Sequence, residues 1–241
     1  MIDYLVVIPA RYQSTRFPGK PLEKISGKSM IKRVWEKCIE AANINRVIVA
    51  TDDDRIFRHC KDQEIEVQLT SHNCLTGTDR LYEVAKKRKA SVYINVQGDE
   101  PLVSPEDIKA VIKASEQEPN ITINAMCPID NENDFNNLNI PKVVTRNDGR
   151  LLYMSRAPIP SSKNYRFEKA MKQVCIYAIP YDVLITFGSL KEKTSLESIE
   201  DIELLRLLEI GYEIKMIEVS KSSIAVDTLE DLKKIRSIIR D

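Results

Sequence analysis

Three short stretches carry the residue types that could do chemistry. Arg11, Arg16 and Lys20 lie on one loop, alongside Pro18 and Gly19, just after an apolar run. A short loop with three cations near backbone N–H groups suits a polyphosphate, through forked and charge-assisted hydrogen bonds. From Arg11 to Lys37 the chain holds eight basic residues and two acidic ones, a local excess of six positive charges. Asp99 stands in VQGDEP (96–101), a turn that ends an apolar run, and Asp227 stands in IAVDT (224–228), another strand–helix junction. Either carboxylate alone reads as an ordinary turn or cap. Together at one sheet edge they could hold one or two magnesium ions shared with substrate phosphates. No G-x-x-x-x-G-K-[ST] is present, so the loop is not a Walker A motif, and no G-x-G-x-x-G follows the first run, which weighs against a dinucleotide-dependent oxidoreductase.

These groups need a scaffold that brings them to one edge, and the chain's periodicity supplies it. Short apolar runs at 4–11, 46–51, 67–70 and 91–96 read as strands buried on both faces. Between them fall a helix opening after Ser29 with Met30, Val34, Cys38 and Ala41 on one stripe, a helix starting at Asp52–Asp54, and one starting near Thr78. A capped helix follows at 104–115. Strands alternating with helices imply βαβ units and a mostly parallel sheet, whose ligands bind beyond the carboxyl ends of the strands. The second half differs. An asparagine-rich stretch at 131–142 reads as a loop, and VVT, LLYMSR and QVCIYAIP read as strands without crossover helices. Residues 196–210 read as one helix, 212–219 as a strand, and the chain closes on a helix capped by Asp227 or Thr228. The expectation is a single α/β domain over 1–241, Rossmann-like, with helices on both faces and an inserted, partly antiparallel subregion at 131–190.

Composition narrows the function classes. The 36 Lys+Arg balance 36 Asp+Glu, which argues against a nucleic-acid binder and against a polybasic membrane-surface protein. Two histidines, His59 and His72, leave little for a His-based triad or a multi-histidine metal centre, and both read as ordinary polar residues. Five cysteines with no C-x-x-C pair read as reduced and mostly buried, Cys175 included. With no signal peptide and no long apolar run in the sequence, a soluble cytoplasmic protein is expected.

The same stretches, taken in order, resemble the CMP-KDO synthetase family, the 3-deoxy-manno-octulosonate cytidylyltransferases. The matching segments are IPARYQSTRFPGKPL (8–22), ATDD (50–53), TGTDR (76–80), NVQGDEP (95–101), KVV (142–144), LYMSRAPIP (152–160), IYA (176–178), LESIE (196–200) with the later LR, and VDTLEDL (226–232). The resemblance implies transfer of CMP from CTP to a 2-keto-3-deoxy sugar acid, most directly KDO, with release of pyrophosphate, in a homodimer that supplies lipopolysaccharide or capsule synthesis. It also implies residue roles. Arg11, Arg16 and Lys20 hold the triphosphate, Gln97 and the loop of Gly77, Thr78, Asp79 and Arg80 face the nucleotide, and Asp99 and Asp227 ligate Mg2+. Arg156 and Tyr177 lie on the acceptor side, and Gln173 and Glu203 complete the substrate-binding set. The segment from SRAPIP to IYA contributes to the dimer contact.

The chain departs from the family in one region. Where the family reads H-I-G-I-Y-A-Y, this chain has Gln173-Val174-Cys175-Ile176-Tyr177-Ala178-Ile179, and where the family reads L-E-Q-L-R it has Leu204 in place of the Gln. Those positions are acceptor-side groups in the family. The departure keeps open a cytidylyltransferase for another acid, such as an amino-substituted KDO, another ulosonic acid or a phosphonate. A non-catalytic nucleotide-binding regulator is the alternative of another class. The presence of both Asp99 and Asp227 argues against it, since a pure binder has no need of two carboxylates.

Overall fold

Tyr4–Ala10 forms β1, which is buried from Leu5 onward and pairs in parallel with β4 (Val47–Thr51) on one side and β6 (Val92–Val96) on the other. The computed structural model describes residues 3–14, 17–164, 166–221 and 225–239. β5 (Val67–Leu69) extends the parallel set beyond β4. Side chains alternate across β1, so Val6, Ile8 and Ala10 enter one core and Leu5 and Val7 the other. Burying each such Val or Ile contributes roughly 1.5–3 kcal/mol, enough to hold the frame in register.

Helices cover both faces. α1 (Met30–Ala41), α2 (Asp54–Asp62) and α4 (Pro105–Gln117) place Val34, Cys38, Ile56, Ile108 and Val111 in the first core. The Ser29 hydroxyl caps α1 by accepting the Lys32 N–H. α3 (Gly77–Lys87) and α6 (Tyr181–Ser189) pack Leu81, Val84, Leu184 and Phe187 into the second. A two-residue hairpin, β2 (Lys24–Ile25) with β3 (Lys28–Ser29), packs with the terminal helix α9 (Leu229–Ile238) around Ile25, Met30, Leu232 and Ile235. α9 is capped by Thr228 with Asp231 in a reciprocal box, and this packing draws Asp227 toward the loop after β1.

The second half departs from the sequence reading in four places. β7 (Thr122–Pro128) and α6 carry no separate signal in that reading, yet β7 is a sheet strand and α6 packs against α3. The stretch read as a loop at 131–142 contains a short helix, α5 (Glu132–Asn136), capped by the Asn131 side chain. The helix read over 196–210 is broken into α7 (Ser195–Glu200) and α8 (Leu205–Glu209) by Asp201, which adopts φ 51° and ψ 47°. The break lets Ile202 and Leu204 both enter the second core while Glu200 and Glu203 face different neighbours.

β10 (Met171–Pro180) runs antiparallel between β6 and β7, and β11 (Ile214–Glu218) joins β7 in parallel, giving the order β11-β7-β10-β6-β1-β4-β5. β8 (Lys142–Thr145) and β9 (Leu151–Ser155) form an antiparallel ribbon attached to the start of β10. Because Ile176 pairs with Val96, the last residue of β6, Met171–Cys175 overhang the carboxyl end of β6, where Met171–Val174 pair with β7 instead. Among the described residues, no helix is long and apolar enough to cross a membrane.

Candidate active site

The loop after β1 folds back on itself at Gly19, whose φ of 75° favours glycine, and the Gly19 N–H donates to the Tyr12 carbonyl at 2.9 Å. The Tyr12 ring is covered by the Arg55 guanidinium, 3.2 Å from its centroid. This turn delivers Lys20 to the carboxyl edge. The Lys20 ammonium donates to Asp99 at 2.7 Å and lies 3.5 Å from Asp227. The Val226 N–H donates to the Asp99 carbonyl at 2.9 Å, which fixes the two junctions side by side. The lysine side chain is 12% exposed, while the carboxylates are partly exposed, at 28% and 31%. Gly98 lets the turn sit this low, because a Cβ there would lie 2.8 Å from the Pro9 carbonyl oxygen.

Arg11, exposed, follows the last residue of β1. Its charge adds to those of Lys193 and Arg156 around Asp201: the Lys193 hydrogen bond, chiefly, holds that carboxyl below its ordinary value, with Arg156 and Arg11 adding to it. Arg16 falls outside the described residues.

A second cluster centres on Glu203. Its carboxylate accepts from the Gly77 N–H at 3.0 Å, the Thr78 N–H at 2.9 Å and the Thr78 hydroxyl at 2.6 Å, so it caps the N-terminus of α3. Tyr177 donates to Glu203 at 3.1 Å and accepts from Gln97 Nε2 at 3.1 Å. Burial first, and then the Glu203 charge, push the Tyr177 phenol well above its ordinary value, so it stays a donor at neutral pH.

The GTDR segment is the first turn of α3 rather than a loop, and its side chains point inward. Thr78, Asp79 and Arg80 are buried. Asp79 closes the capping box with Thr76 and pairs with Arg206 at 3.0 Å, while Arg80 pairs with Asp52 at 2.8 Å and donates to Thr70. The structure thus uses these three side chains to hold the edge, and of the expected nucleotide set Gly77 and Thr78 bond Glu203 directly while Gln97 reaches it through Tyr177. Arg206 is fully buried and also pairs with Glu197 at 2.6 Å, locking α7 and α8 against α3.

On the overhanging end of β10, Gln173 bonds to Asn124 at 3.1 Å. Arg156 donates through its guanidinium to the carbonyls of Leu138, Glu200 and Asp201, while its N–H, with the Ser155 hydroxyl, binds the Glu200 carboxylate. Leu204, which stands where the family carries a glutamine, is fully buried in the second core and offers no contact at the edge. Cys175 shares the overhang. Burial, with the charges of Glu100, Asp99 and Glu203, pushes its thiol well above its ordinary value, which removes it as a nucleophile.

Sequence reasoning missed Asn95, Asn124, Glu200 and Arg206. A legible signal existed for Asn95 and Asn124, which interrupt apolar strand runs, and for Arg206, which sits in an apolar helix pattern. Two clefts lie elsewhere. One of about 560 Å³ opens at the opposite edge by Lys89, Pro180 and Tyr181, and one of about 320 Å³ lies at the ends of β4 and β5 by Asp52, Thr70 and His72. The polar residues named above converge between the ends of β1, β6 and β10.

The chain matches the cytidylyltransferase family model over residues 5–217. It is 42% identical to the 3-deoxy-manno-octulosonate cytidylyltransferase of Syntrophotalea carbinolica, covering 97% of each chain. It is 37% identical to that of Escherichia coli over 99% of this chain and 97% of the other. Its fold superposes on a CMP:2-keto-3-deoxy-manno-octonic acid synthetase solved with CTP, with a TM-score of 0.90, 36% identity, and coverage of 98% and 97%. With the cation loop, the paired carboxylates and the α3 turn gathered at one sheet edge, these likenesses place the chain in the 3-deoxy-manno-octulosonate cytidylyltransferase family, as an enzyme of the cytidylyltransferase type.

Proposed function

We propose that this chain transfers CMP from CTP to KDO and releases pyrophosphate. The observation that carries the reading is the convergence of Lys20, Asp99 and Asp227, from three distant segments, on one point of the carboxyl edge. In such a reaction the acceptor hydroxyl attacks the α-phosphorus in line, with pyrophosphate leaving opposite. Arg11, Arg16 and Lys20 offset the charge of the triphosphate and of the departing pyrophosphate. Gln97 and the Gly77 turn border the nucleotide, and Arg156, Gln173, Tyr177 and Glu203 border the acceptor. Catalysis by these groups is positioning and electrostatics, with no covalent intermediate.

Asp99 and Asp227 fit a magnesium ion. They are hard oxygen donors, partly exposed, and they already share one positive charge, the Lys20 ammonium. Held there with substrate phosphates, Mg2+ supplies charge neutralisation at the α-phosphate and a lower pKa for the acceptor hydroxyl.

The unit in this reading is a homodimer in the cytoplasm, with 131–190 as the acceptor and dimer subregion. Exposed Leu138, Leu152 and Ile199, around the Arg156–Glu200 contacts, give that surface an apolar character suited to a second copy. Gln173 in place of the family histidine favours one second reading, a cytidylyltransferase for a different acid acceptor. Pyrophosphate release measured with CTP, Mg2+ and a panel of acids separates the two. Fastest turnover on KDO supports the first, and turnover on another acid alone replaces it with the second.

A further inference from the structure

Tyr177 stands in register with Asn95 of β6 on one side and Asn124 of β7 on the other, and both asparagines are fully buried. Their strand neighbours Ile94, Val96, Ile123 and Ala125 all belong to the first core, so the two amides share the Tyr177 face. A buried amide weakens a sheet unless its hydrogen bonds are made. Here the amide N–H groups hold an irregularity, while Asn95 Oδ1 has no hydrogen-bond partner among the described residues. The pairing of β10 with β7 shifts between Val174 and Tyr177, which frees the carbonyls of the intervening residues from the regular ladder. Asn124 Nδ2 donates to the Val174 and Ile176 carbonyls at 2.9 and 3.0 Å, and Asn95 Nδ2 donates to the Cys175 carbonyl at 3.3 Å. Asn124 Oδ1 then accepts from Gln173 Nε2 at 3.1 Å.

With that N–H committed to Asn124, Gln173 Oε1 has no partner among the described residues and is a pure acceptor. Gln173, Cys175 and Tyr177 alternate with Val174, Ile176 and Ala178 of the first core, so Gln173 lies on the Tyr177–Glu203 face of the overhanging strand. We propose that Asn124 is a positioning residue for acceptor recognition. It fixes Val174–Ile176 and sets the Gln173 amide so that Oε1 meets a hydroxyl or ammonium group of the acceptor acid. The inference rests on the transferase reading above and adds to it the group that orients Gln173.

The test is a double-mutant cycle on the full chain, with CTP, Mg2+ and KDO as substrates, over wild type, Asn124→Ala, Gln173→Ala and the double variant. Asn124→Ala should raise KM for KDO about tenfold while KM for CTP stays within about twofold. The double variant should be no worse than the worse single, because both act through one contact. Gln173→Glu, which cannot donate to Asn124 Oδ1, should match Gln173→Ala. Additive losses, or equal losses on CTP and KDO, overturn the inference. If Asn124→Ala does not fold, unchanged KM for KDO in both Gln173→Ala and Gln173→Glu overturns it. A wild type inactive on KDO defeats the KDO assignment, a result distinct from either, and the same cycle is then run on the acid that is turned over.

Discussion

Around Lys20 the charged groups stand at the tips of strands, with partly exposed carboxylates; around Gln173 the polar groups are sunk within strands and bonded to one another. The first arrangement suits a ligand that brings its own charge, since ion pairing needs donors and acceptors aimed outward but little shape. The second suits the hydroxyl-rich part of a sugar acid, for which fixed hydrogen-bond geometry has to do the discriminating. One sheet therefore carries two kinds of recognition. The Glu203 carboxylate, bonded to both α3 and Tyr177, joins them.

Variants at the charged tips should give the largest losses and fall on the chemical step. Asp99→Asn and Asp227→Asn should each lower kcat/KM about a thousandfold, with thermal midpoints close to wild type, in a steady-state assay of pyrophosphate release. Loss of only a fewfold in both would dissolve the contrast between the two regions. Lys20→Ala should follow with about a hundredfold loss, mainly in kcat, because it removes one charge-assisted donor from the developing negative charge.

The next effect sharpens the comparison from the side of stability. Gly98→Ala forces a Cβ to within 2.8 Å of backbone oxygen at Pro9, so the turn must move. A loss of about 1–3 kcal/mol in denaturant unfolding is expected, together with weaker catalysis. An unchanged midpoint would mean that the turn carrying Asp99 is looser than its contacts imply.

The smallest effect is a pH dependence at Glu200, in the wall it forms with Ser155 and Arg156. Burial opposes ionisation of Glu200, yet the Ser155 hydroxyl, the Arg156 N–H and Tyr153 hold its carboxyl below its ordinary value of 4.5. A carboxyl lowered in the native state contributes stability that is complete above the unfolded value and lost as pH falls through the native one. Unfolding free energy should therefore decline below about pH 4.5, and Glu200→Gln should flatten that slope. Identical slopes in both proteins would remove Glu200 from the wall.

The same contrast explains what the sequence made legible. The parallel frame was readable because β1, β4 and β6 are buried on both faces and so appear as unbroken apolar runs. Lys20, Asp99 and Asp227 were readable as a set, because a cation loop and two carboxylates at strand–helix junctions fall at one edge of a parallel sheet, although either carboxylate alone reads as an ordinary turn or cap. The acceptor side resisted for a physical reason. β10 enters antiparallel among parallel strands, and its irregular stretch is held by Asn95 and Asn124 from two other strands, a pairing that no local pattern encodes. The helix break at Asp201 was hidden likewise, because the apolar spacing of 196–210 fits one helix while burial of Arg206 between Glu197 and Asp79 accompanies two. GTDR was legible as a helix start near Thr78, but the resemblance aims it at the nucleotide while the Thr78, Asp79 and Arg80 side chains are bonded inside.

The most direct test of the central claim is product analysis by phosphorus NMR of wild-type protein with CTP, Mg2+ and KDO. The account predicts that CTP is consumed only when KDO is present, giving pyrophosphate and a CMP–KDO phosphodiester in equal amounts. CTP left intact, or split to CMP and pyrophosphate with no phosphodiester, would contradict it.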